Sequence, residues 1–256
     1  MREVFHQSLE DVQGRLVEIA ELVTVAIDKA TRAFGKSDVG LAEEVIEEDL
    51  IIDEKAVTLD ELAINILARQ QPVARDLRIV VAALRVSTSL ERMGDIAEHI
   101  AQMTRMRFPE RAIPKGLKST FVKMGELDVE VARTLADLLR TEDLTLVEIL
   151  RDREEQLDDL HLSVFEKVLG ANWQGEAAAT VDATLASRYH ERFADHALSV
   201  AKKVAYLATG DWTADTDTIA VVSRAEAAGL VSSADETEAG VDAAGEPGVT
   251  AEEPAN

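Results

Sequence analysis

The sequence predicts an all-α protein: two pseudo-symmetric three-helix bundles, built from six long antiparallel helices, followed by a disordered acidic C-terminal tail. Apolar residues recur with helical periodicity over long segments, and only 5 Pro and 13 Gly interrupt the 256 residues. Strand-type alternation of Val, Ile and Thr is missing. The segments between the periodic stretches are short, so neighbouring helices must fold back on one another.

The first bundle is predicted over residues 1–106. Its three helices span about 3–34, 38–69 and 73–106, separated by the short stretches "GKSDVG" and "RQQP". Pro72 suits the start of the third helix, because proline lacks an amide N–H and its ring presets a helical φ.

A linker is predicted at 107–116, where "RFPERAIPKG" concentrates helix breakers. The second bundle then covers 117–212 and again contains three helices. Their predicted bounds are about 117–140, 142–169 and 177–209, with "RTEDLT" and "GANWQGE" as the connections. Three helices, a linker and three more helices form an internal repeat.

The predicted tail at 213–256 lacks periodicity. From Ala214 to Asn256 it carries ten acids against one arginine, with few bulky residues. Such a composition buries too little apolar surface to fold, so we expect this segment to be disordered.

Composition excludes several classes of partner and site. The formal net charge of -22 repels phosphate backbones and argues against a nucleic-acid partner. Without cysteine, any metal must be held by oxygen or imidazole. The start does not resemble a signal peptide, and no uncharged apolar run is long enough to span a membrane. We therefore expect a cytoplasmic protein that reaches membranes only through partners.

The second helix carries carboxylates within its apolar face. At about 100 degrees per residue, Asp49, Asp53 and Asp60 fall on one side with apolar neighbours, while Glu43, Glu44, Glu47, Glu54 and Glu61 lie on the opposite side. The apolar residues on that side are Ala42, Val45, Ile46, Ala56, Ala63, Ile64 and Leu67. An unpaired buried carboxylate is costly, so the pair of Asp49 and Asp53 must be neutralised by protonation, by a basic partner or by a cation.

The fifth helix repeats this pattern. Glu154 and Asp158 share a face with Val147, Leu150 and Leu157, so "EEQLD" matches the earlier "DLIID". His161 lies on the same face and adds an imidazole beside the two acids.

The third and sixth helices carry a second motif, in "LERMGDIAEHI" and "YHERFADHALS". Glu91 and Asp95 lie one turn apart, and Glu191 and Asp195 repeat them 100 residues later. Periodicity alone places Glu91 and Asp95 away from the main apolar stripe of their helix, which favours exposure to solvent. If the second and third helices face each other, the same two residues complete a four-carboxylate site.

Clustered carboxylates of this kind suit Mg, Ca, Mn or Fe, and also Zn. The sequence contains no Walker loop, dinucleotide fingerprint, G-x-S-x-G or H-E-x-x-H motif, so no catalytic residue is predicted. Two alternatives stay open. One is a metal-dependent hydrolase or oxidase that uses the carboxylate clusters. The other is a purely structural bundle whose carboxylates pair with Arg75, Arg78, Arg151 and Arg188.

Two further features involve charged or polar residues outside these clusters. Arg75, Asp76 and Arg78 crowd the first turn of the third helix, where the macrodipole favours acids over arginines. The arginines are expected to pair with carboxylates of a neighbouring helix, to bind an anion or partner, or to be solvated. His190 is predicted to belong to no constellation of functional groups.

Two long strings carry a family resemblance. "QQPVARDLRIVVAALRVSTSLERMGDIAEHIA" and, a hundred residues later, "RYHERFADHALSVAKKVAYLATGDW" resemble the phosphate-uptake regulator family, PhoU, over about 1–212. The resemblance implies two three-helix repeats. It also implies a cytoplasmic negative regulator of phosphate-starvation signalling that links the phosphate ABC transporter, through its ATPase subunit, to a sensor histidine kinase. We also expect a homodimer.

The resemblance further implies metal binding through E/D-x-x-x-D motifs, with Fe, Zn, Mn or Mg as the ion. The first set of ligands would be Asp49, Asp53, Glu91 and Asp95. The second set would be Glu154, Asp158, Glu191 and Asp195, with His161 as an additional ligand. The second repeat departs from the family pattern, because Phe193 and Ala194 stand where Met93 and Gly94 do in the first.

Overall fold

The computed structural model describes residues 2–209, so the predicted tail at 213–256 lies outside the described residues. Within them, six α-helices and no strand are found, which confirms the all-α prediction. The helices are α1 Arg2–Lys36, α2 Val39–Gln70, α3 Ala74–Arg107, α4 Lys118–Thr141, α5 Thr145–Leu169 and α6 Ala177–Thr209. Each predicted boundary lies within about three residues of the observed one.

Local chemistry explains where the first helices turn. Ser37 has a φ of 57°, which reverses the chain after α1. A side-chain oxygen of Asp38 then accepts a hydrogen bond from the Leu41 amide at 3.1 Å and caps α2. Gln71, also in the left-handed region, ends α2 just before Pro72.

The largest boundary error lies between α4 and α5. Glu142 has a φ of 55°, and its amide donates to the Leu138 carbonyl at 2.8 Å, which closes α4. The Thr145 amide then donates to the Asp143 carboxylate at 3.0 Å. Helix α5 therefore begins at Thr145, and the predicted start at 142 was wrong because Glu142 terminates the preceding helix.

The helices pack as two bundles joined along their length. Helices α1, α2 and α3 contact one another, as do α4, α5 and α6. Between the bundles, α1 packs on α4 and α3 packs on α6. The buried apolar residues of both bundles form one continuous core. Helices α2 and α5 thus lie on the outer sides, each covering one face of its own bundle.

Helices α3 and α6 run antiparallel, as three neighbouring pairs along their length demonstrate. Arg107 at the end of α3 forms an ion pair with Asp182 near the start of α6. Farther along, His99 stacks on Tyr189 with 5.3 Å between ring centroids. Burial lowers the pKa of the Lys203 amine, and the charge of Arg85, which lies nearby, lowers it further. The carboxyl end of α6 consequently lies beside the amino end of α3.

No helix within residues 2–209 is long and apolar enough to cross a membrane.

Candidate metal centre

An acidic cluster lies between α2 and α3. Asp49, Asp53 and Asp95 each offer one carboxylate oxygen, and these three atoms lie within 4.8 Å of one another. Asp49 is only 9% exposed, whereas Asp53 and Asp95 are half-buried. In the described part of the chain, this is the one group of three or more potential ligands that converges so closely.

Gly94 leaves the space that Asp49 occupies. A Cβ atom at position 94 would lie 3.1 Å from the Asp49 Oδ1 atom and 3.1 Å from two side-chain carbons of Ile52. Because these distances are shorter than ordinary van der Waals contacts, a larger residue would press on the buried carboxylate. The glycine therefore allows α2 and α3 to hold Asp49 between them.

Burial and neighbouring charge leave Asp49 poorly neutralised. Burial, the largest cause, and the nearby carboxylates of Asp53, Glu98, Asp95 and Glu91 together raise the pKa of Asp49 to about 7. No ion pair or hydrogen bond reaches Asp49 from any residue that the structure describes. A proton or a cation must compensate this carboxylate, and three converging oxygens fit a hard or borderline cation.

Glu91, the fourth predicted ligand of the first site, lies beside the converging group. It is half-buried, so the exposure suggested by its own helix was wrong. Burial raises the pKa of Glu91, Asp95 adds to the rise, and Arg92 opposes it. The guanidinium of Arg92 lies 3.5 Å from Glu91 and 3.1 Å from Asp95, on the exposed side of the cluster.

Two acids of this region escaped the sequence analysis as candidate ligands. Glu98 acts on the pKa of Asp49, and it follows Glu91 and Asp95 at the i, i+4, i+7 spacing of one helix face. Asp60 is half-buried farther along α2, where burial raises its pKa and Ser87 of α3 opposes the rise. Extending the acidic face of α3 by one turn finds Glu98, whereas Asp60 lies two turns beyond Asp53 on the same face of α2.

The second predicted site is looser. Burial raises the pKa of Glu154, and Asp158 and Asp195 add to it, so the predicted residues are neighbours. However, no three of their oxygens converge as those of the first site do, within the part of the chain described. Asp195 is exposed, and Glu191, which is 8% exposed, forms an ion pair with Arg188.

His161 lies beside the second set, as predicted, but it already has a partner. Its Nδ1 atom is 3.0 Å from the Ser187 hydroxyl, and its ring packs edge-on against Phe165. Burial lowers the pKa of His161, Arg188 lowers it further, and Asp158 opposes both. If His161 binds a metal, Nε2 is the available nitrogen.

Three positions on α6 differ in charge or size from their counterparts on α3. Counting 100 residues from α3 to α6, Leu198 replaces Glu98, Arg188 replaces Thr88, and Ala194 replaces Gly94. The second site thereby loses one acid and gains one base, and Ala194 adds a methyl group that Gly94 lacks.

If the bundle were purely structural, four arginines were expected to pair with the predicted ligands, but only one of them does. Arg188 pairs with Glu191, but Arg151 pairs with Glu148, which is not a predicted ligand. Arg75 and Arg78 are exposed and form no ion pair with any described residue. Pairing of these two with a neighbouring helix, one of the expectations above, is therefore wrong for the described chain.

A buried aspartate–histidine pair lies where the sequence predicted nothing. The Nδ1 atom of His190 is 2.5 Å from the Asp128 Oδ2 atom, and both side chains are fully buried between α4 and α6. Phe34 and Phe121 cover the imidazole. Burial raises the pKa of Asp128, and His190 opposes that rise. The prediction that His190 has no polar constellation was wrong, because its partner lies 62 residues away in the sequence.

Comparison with known proteins agrees with this fold. A family model described as PhoU domain matches residues 16–104 and 121–204, one match in each bundle. The phosphate-specific transport system accessory protein PhoU homolog 2 of Mycobacterium tuberculosis is 37% identical over 210 residues, covering 82% of this chain and 99% of that protein. PhoU homolog 1 of Mycobacterium leprae is 35% identical over 219 residues, covering 86% and 98%.

Solved structures share the same architecture. The crystal structure of PhoU from Pseudomonas aeruginosa matches with a TM-score of 0.74 and 26% identity, covering 81% of this chain and all of that one. The phosphate transport system regulatory protein PhoU of Streptococcus pneumoniae, at 22% identity and a TM-score of 0.73, shares the fold over 82% of this chain and 99% of its own. On these matches, the chain belongs to the PhoU family.

Proposed function

We propose that this protein is a cytoplasmic accessory regulator of phosphate uptake and phosphate-starvation signalling. Its relatives are named as accessory proteins of the phosphate-specific transport system, which supports the link to transport. In the proposed role, the protein contacts the ATPase subunit of the phosphate ABC transporter and a sensor histidine kinase, and it keeps the kinase pathway repressed.

The proposed role includes a bound metal. Asp49, Asp53 and Asp95 would hold the ion, with Glu91 beside them, and Fe, Zn, Mn or Mg are the candidate ions. When bound, the ion would supply positive charge that compensates the buried Asp49 carboxylate. The observation that carries this proposal is Asp49 itself, a buried carboxylate surrounded by acids. The second set would bind an ion less strongly, through Glu154, Asp158, Glu191, Asp195 and His161.

Partner binding tests the regulatory role. We expect the purified full-length protein to bind both the transporter ATPase subunit and the histidine kinase in surface plasmon resonance, and to bind more weakly after chelator treatment. An Asp49→Asn, Asp53→Asn variant should lose the metal-dependent part. The matched control is Glu47→Gln, Glu54→Gln, which neutralises two exposed acids of the same helix. Failure to bind either partner, with or without added metal, would sink the proposal.

The catalytic alternative and the expected homodimer have separate tests. If the protein were a hydrolase or oxidase, phosphatase or oxidase turnover would be measurable and would disappear in the Asp49→Asn, Asp53→Asn variant; we expect no such turnover. Light scattering at several protein concentrations gives the molar mass in solution, for which we expect that of a homodimer.

A further inference from the structure

A basic surface with exposed apolar residues lies where α2 turns into α3. Arg69, Arg75 and Arg78 are exposed there. Between them, Val73 is 74% exposed and Leu77 is 41% exposed. We call these five residues the basic turn. The basic turn therefore offers a ligand both positive charge and apolar contact area.

The basic turn is unpaired within an acidic protein. None of its three arginines forms an ion pair with any side chain from residue 6 to residue 209, although the chain carries 49 acids and only 27 bases. Asp76, the one acid in the same turn, is half-buried and forms no ion pair in that range either. Three arginines and one aspartate leave a local charge of +2, so an acidic ligand fits this surface.

The antiparallel packing of α3 on α6 brings the end of α6 to this place. Arg107 pairs with Asp182, and Arg85 lies near Lys203, so residue numbers on the two helices rise in opposite directions. Continuing this register by two turns places Thr209, the last residue of α6, near Arg78. Whatever follows Thr209 therefore starts beside the basic turn.

The segment that follows has the complementary chemistry. Residues 210–256 contain eleven acids, ten of them after Ala214, and one base, Arg224. Asp211, Asp215 and Asp217 lie within eight residues of Thr209, a length that spans up to about 26 Å when extended. An apolar run at 219–222 follows directly. Acidic residues and apolar residues thus occur in reach of the arginines and of Val73 and Leu77.

We propose that residues 210–256 dock on the basic turn of their own chain. Acidic side chains of the segment pair with Arg69, Arg75 and Arg78, and the apolar run covers Val73 and Leu77. A single exposed ion pair contributes little, but several pairs combined with apolar contact give a stable, salt-sensitive docking.

Trypsin provides the first test, because Arg224 is the only tryptic site after Lys203. In the docked state Arg224 lies against the protein and is cut slowly. Reversing the charge with Arg75→Glu, Arg78→Glu should speed the release of residues 225–256 roughly tenfold. This factor corresponds to a loss of about 1.4 kcal/mol in the free energy of docking. The control is Arg111→Glu, Arg133→Glu, two exposed arginines without ion-pair partners in the described chain, which should leave the rate unchanged.

Equal cleavage rates in the wild type and both variants would overturn the proposal. Circular dichroism melts of all three proteins establish that any difference arises from the segment and not from unfolding.

A second measurement separates docking within a chain from docking between chains. The protein has no native cysteine, so spin labels can be placed at Gln70→Cys and Ser223→Cys alone. Electron–electron double resonance should give one narrow distance, which is lost with Arg75→Glu, Arg78→Glu and persists when labelled chains are diluted with unlabelled ones. A broad distribution in the otherwise unchanged chain, or a distance that disappears on dilution, would contradict docking on the same chain.

Discussion

Asp49 is the residue on which the proposed metal centre depends. Four acids act on it, and no basic side chain in the described chain compensates it. Helices tolerate such an arrangement only if a proton or a cation is bound, because desolvation penalises the isolated charge. Because the pKa of Asp49 is raised, a proton and a metal ion compete for this carboxylate near neutral pH, and a metal must displace the proton to bind.

The charge on Asp49 predicts how stability depends on pH when metal is removed. Its pKa is raised from 3.8 to about 7 in the folded state, so the wild type loses stability as pH rises through this window. Asp49→Asn avoids that loss. A shift of this size corresponds to about 4 kcal/mol, and hydration of the half-buried neighbours reduces the expected gain at pH 8 to about 2 kcal/mol.

The measurement is urea unfolding in chelator at pH 4.5 and pH 8, with Glu47→Gln as the exposed control. Asp49→Asn and wild type should differ little at the lower pH and clearly at the higher one. A difference that is equal at both values would show that ionisation of Asp49 is not the cause.

The Asp128 and His190 pair is a second residue-scale feature, and it predicts a strongly non-additive mutant cycle. Asp128→Leu alone leaves a buried imidazole without its partner, and His190→Leu leaves a buried carboxylate. Each is expected to cost about 3–5 kcal/mol, whereas the double variant should lie within about 1 kcal/mol of wild type. Leu90 occupies the position equivalent to His190 in α3, where it is fully buried.

Chemical denaturation of the four proteins gives the coupling energy directly. If the double variant were as unstable as the sum of the two single ones, the pair would not act as a unit.

At the scale of elements, the contact between the bundles depends on a glycine. A Cβ at Gly125 of α4 would lie 2.8 Å from the Cβ of Thr31 in α1, a distance that real Cβ atoms do not adopt. Gly125→Ala should therefore separate these helices and destabilise the protein by about 1–3 kcal/mol, despite the better helix propensity of alanine.

The same substitution at Gly14 provides the matched control, because nothing lies within 4 Å of a Cβ there. Gly14→Ala should stabilise α1 by up to about 1 kcal/mol. Thermal unfolding of both variants measures the two effects, and stabilisation by Gly125→Ala would contradict the close approach of α1 and α4.

The elements were predictable from sequence because long amphipathic periodicity and a few breakers define them. Pairing between elements was harder to predict. The exposure of Glu91 and Asp95 depends on which side of α3 faces α2, and periodicity of one helix cannot report its neighbour. For the same reason Asp128 and His190 were missed: they meet only because α4 packs on α6. Asp49 could be found, since an acid in an apolar stripe is anomalous by itself.

At the scale of the whole molecule, the two bundles share one fold but carry different charged residues at equivalent positions. The first site has Glu98 and Gly94, and the second has Leu198 and Ala194 in their places. Arg188, which pairs with Glu191, has Thr88 as its counterpart. Two sites derived from one repeat therefore present different charges on opposite bundles, which gives a regulator two non-equivalent surfaces.

This asymmetry predicts unequal metal binding. We expect the site of Asp49 and Asp53 to bind a divalent ion at least about tenfold more tightly than that of Glu154 and Asp158, because fewer basic groups oppose the ion there. Elemental analysis of untagged protein, dialysed against limiting metal, should show loss of most bound ion in Asp49→Asn, Asp53→Asn and little loss in Glu154→Gln, Asp158→Asn.

Replacing Arg188, the base that opposes metal binding at the second site, should reduce the difference in metal affinity between the two sites. Arg188→Thr copies the first site at that position and frees the Glu191 carboxylate, so metal titration should show tighter binding at the second site while the first is unchanged. The effect should also depend on salt, since Arg188 is partly exposed and its charge is screened. Equal loss of metal in both site variants, or no response to Arg188→Thr, would mean that charge balance does not set the difference between the two bundles.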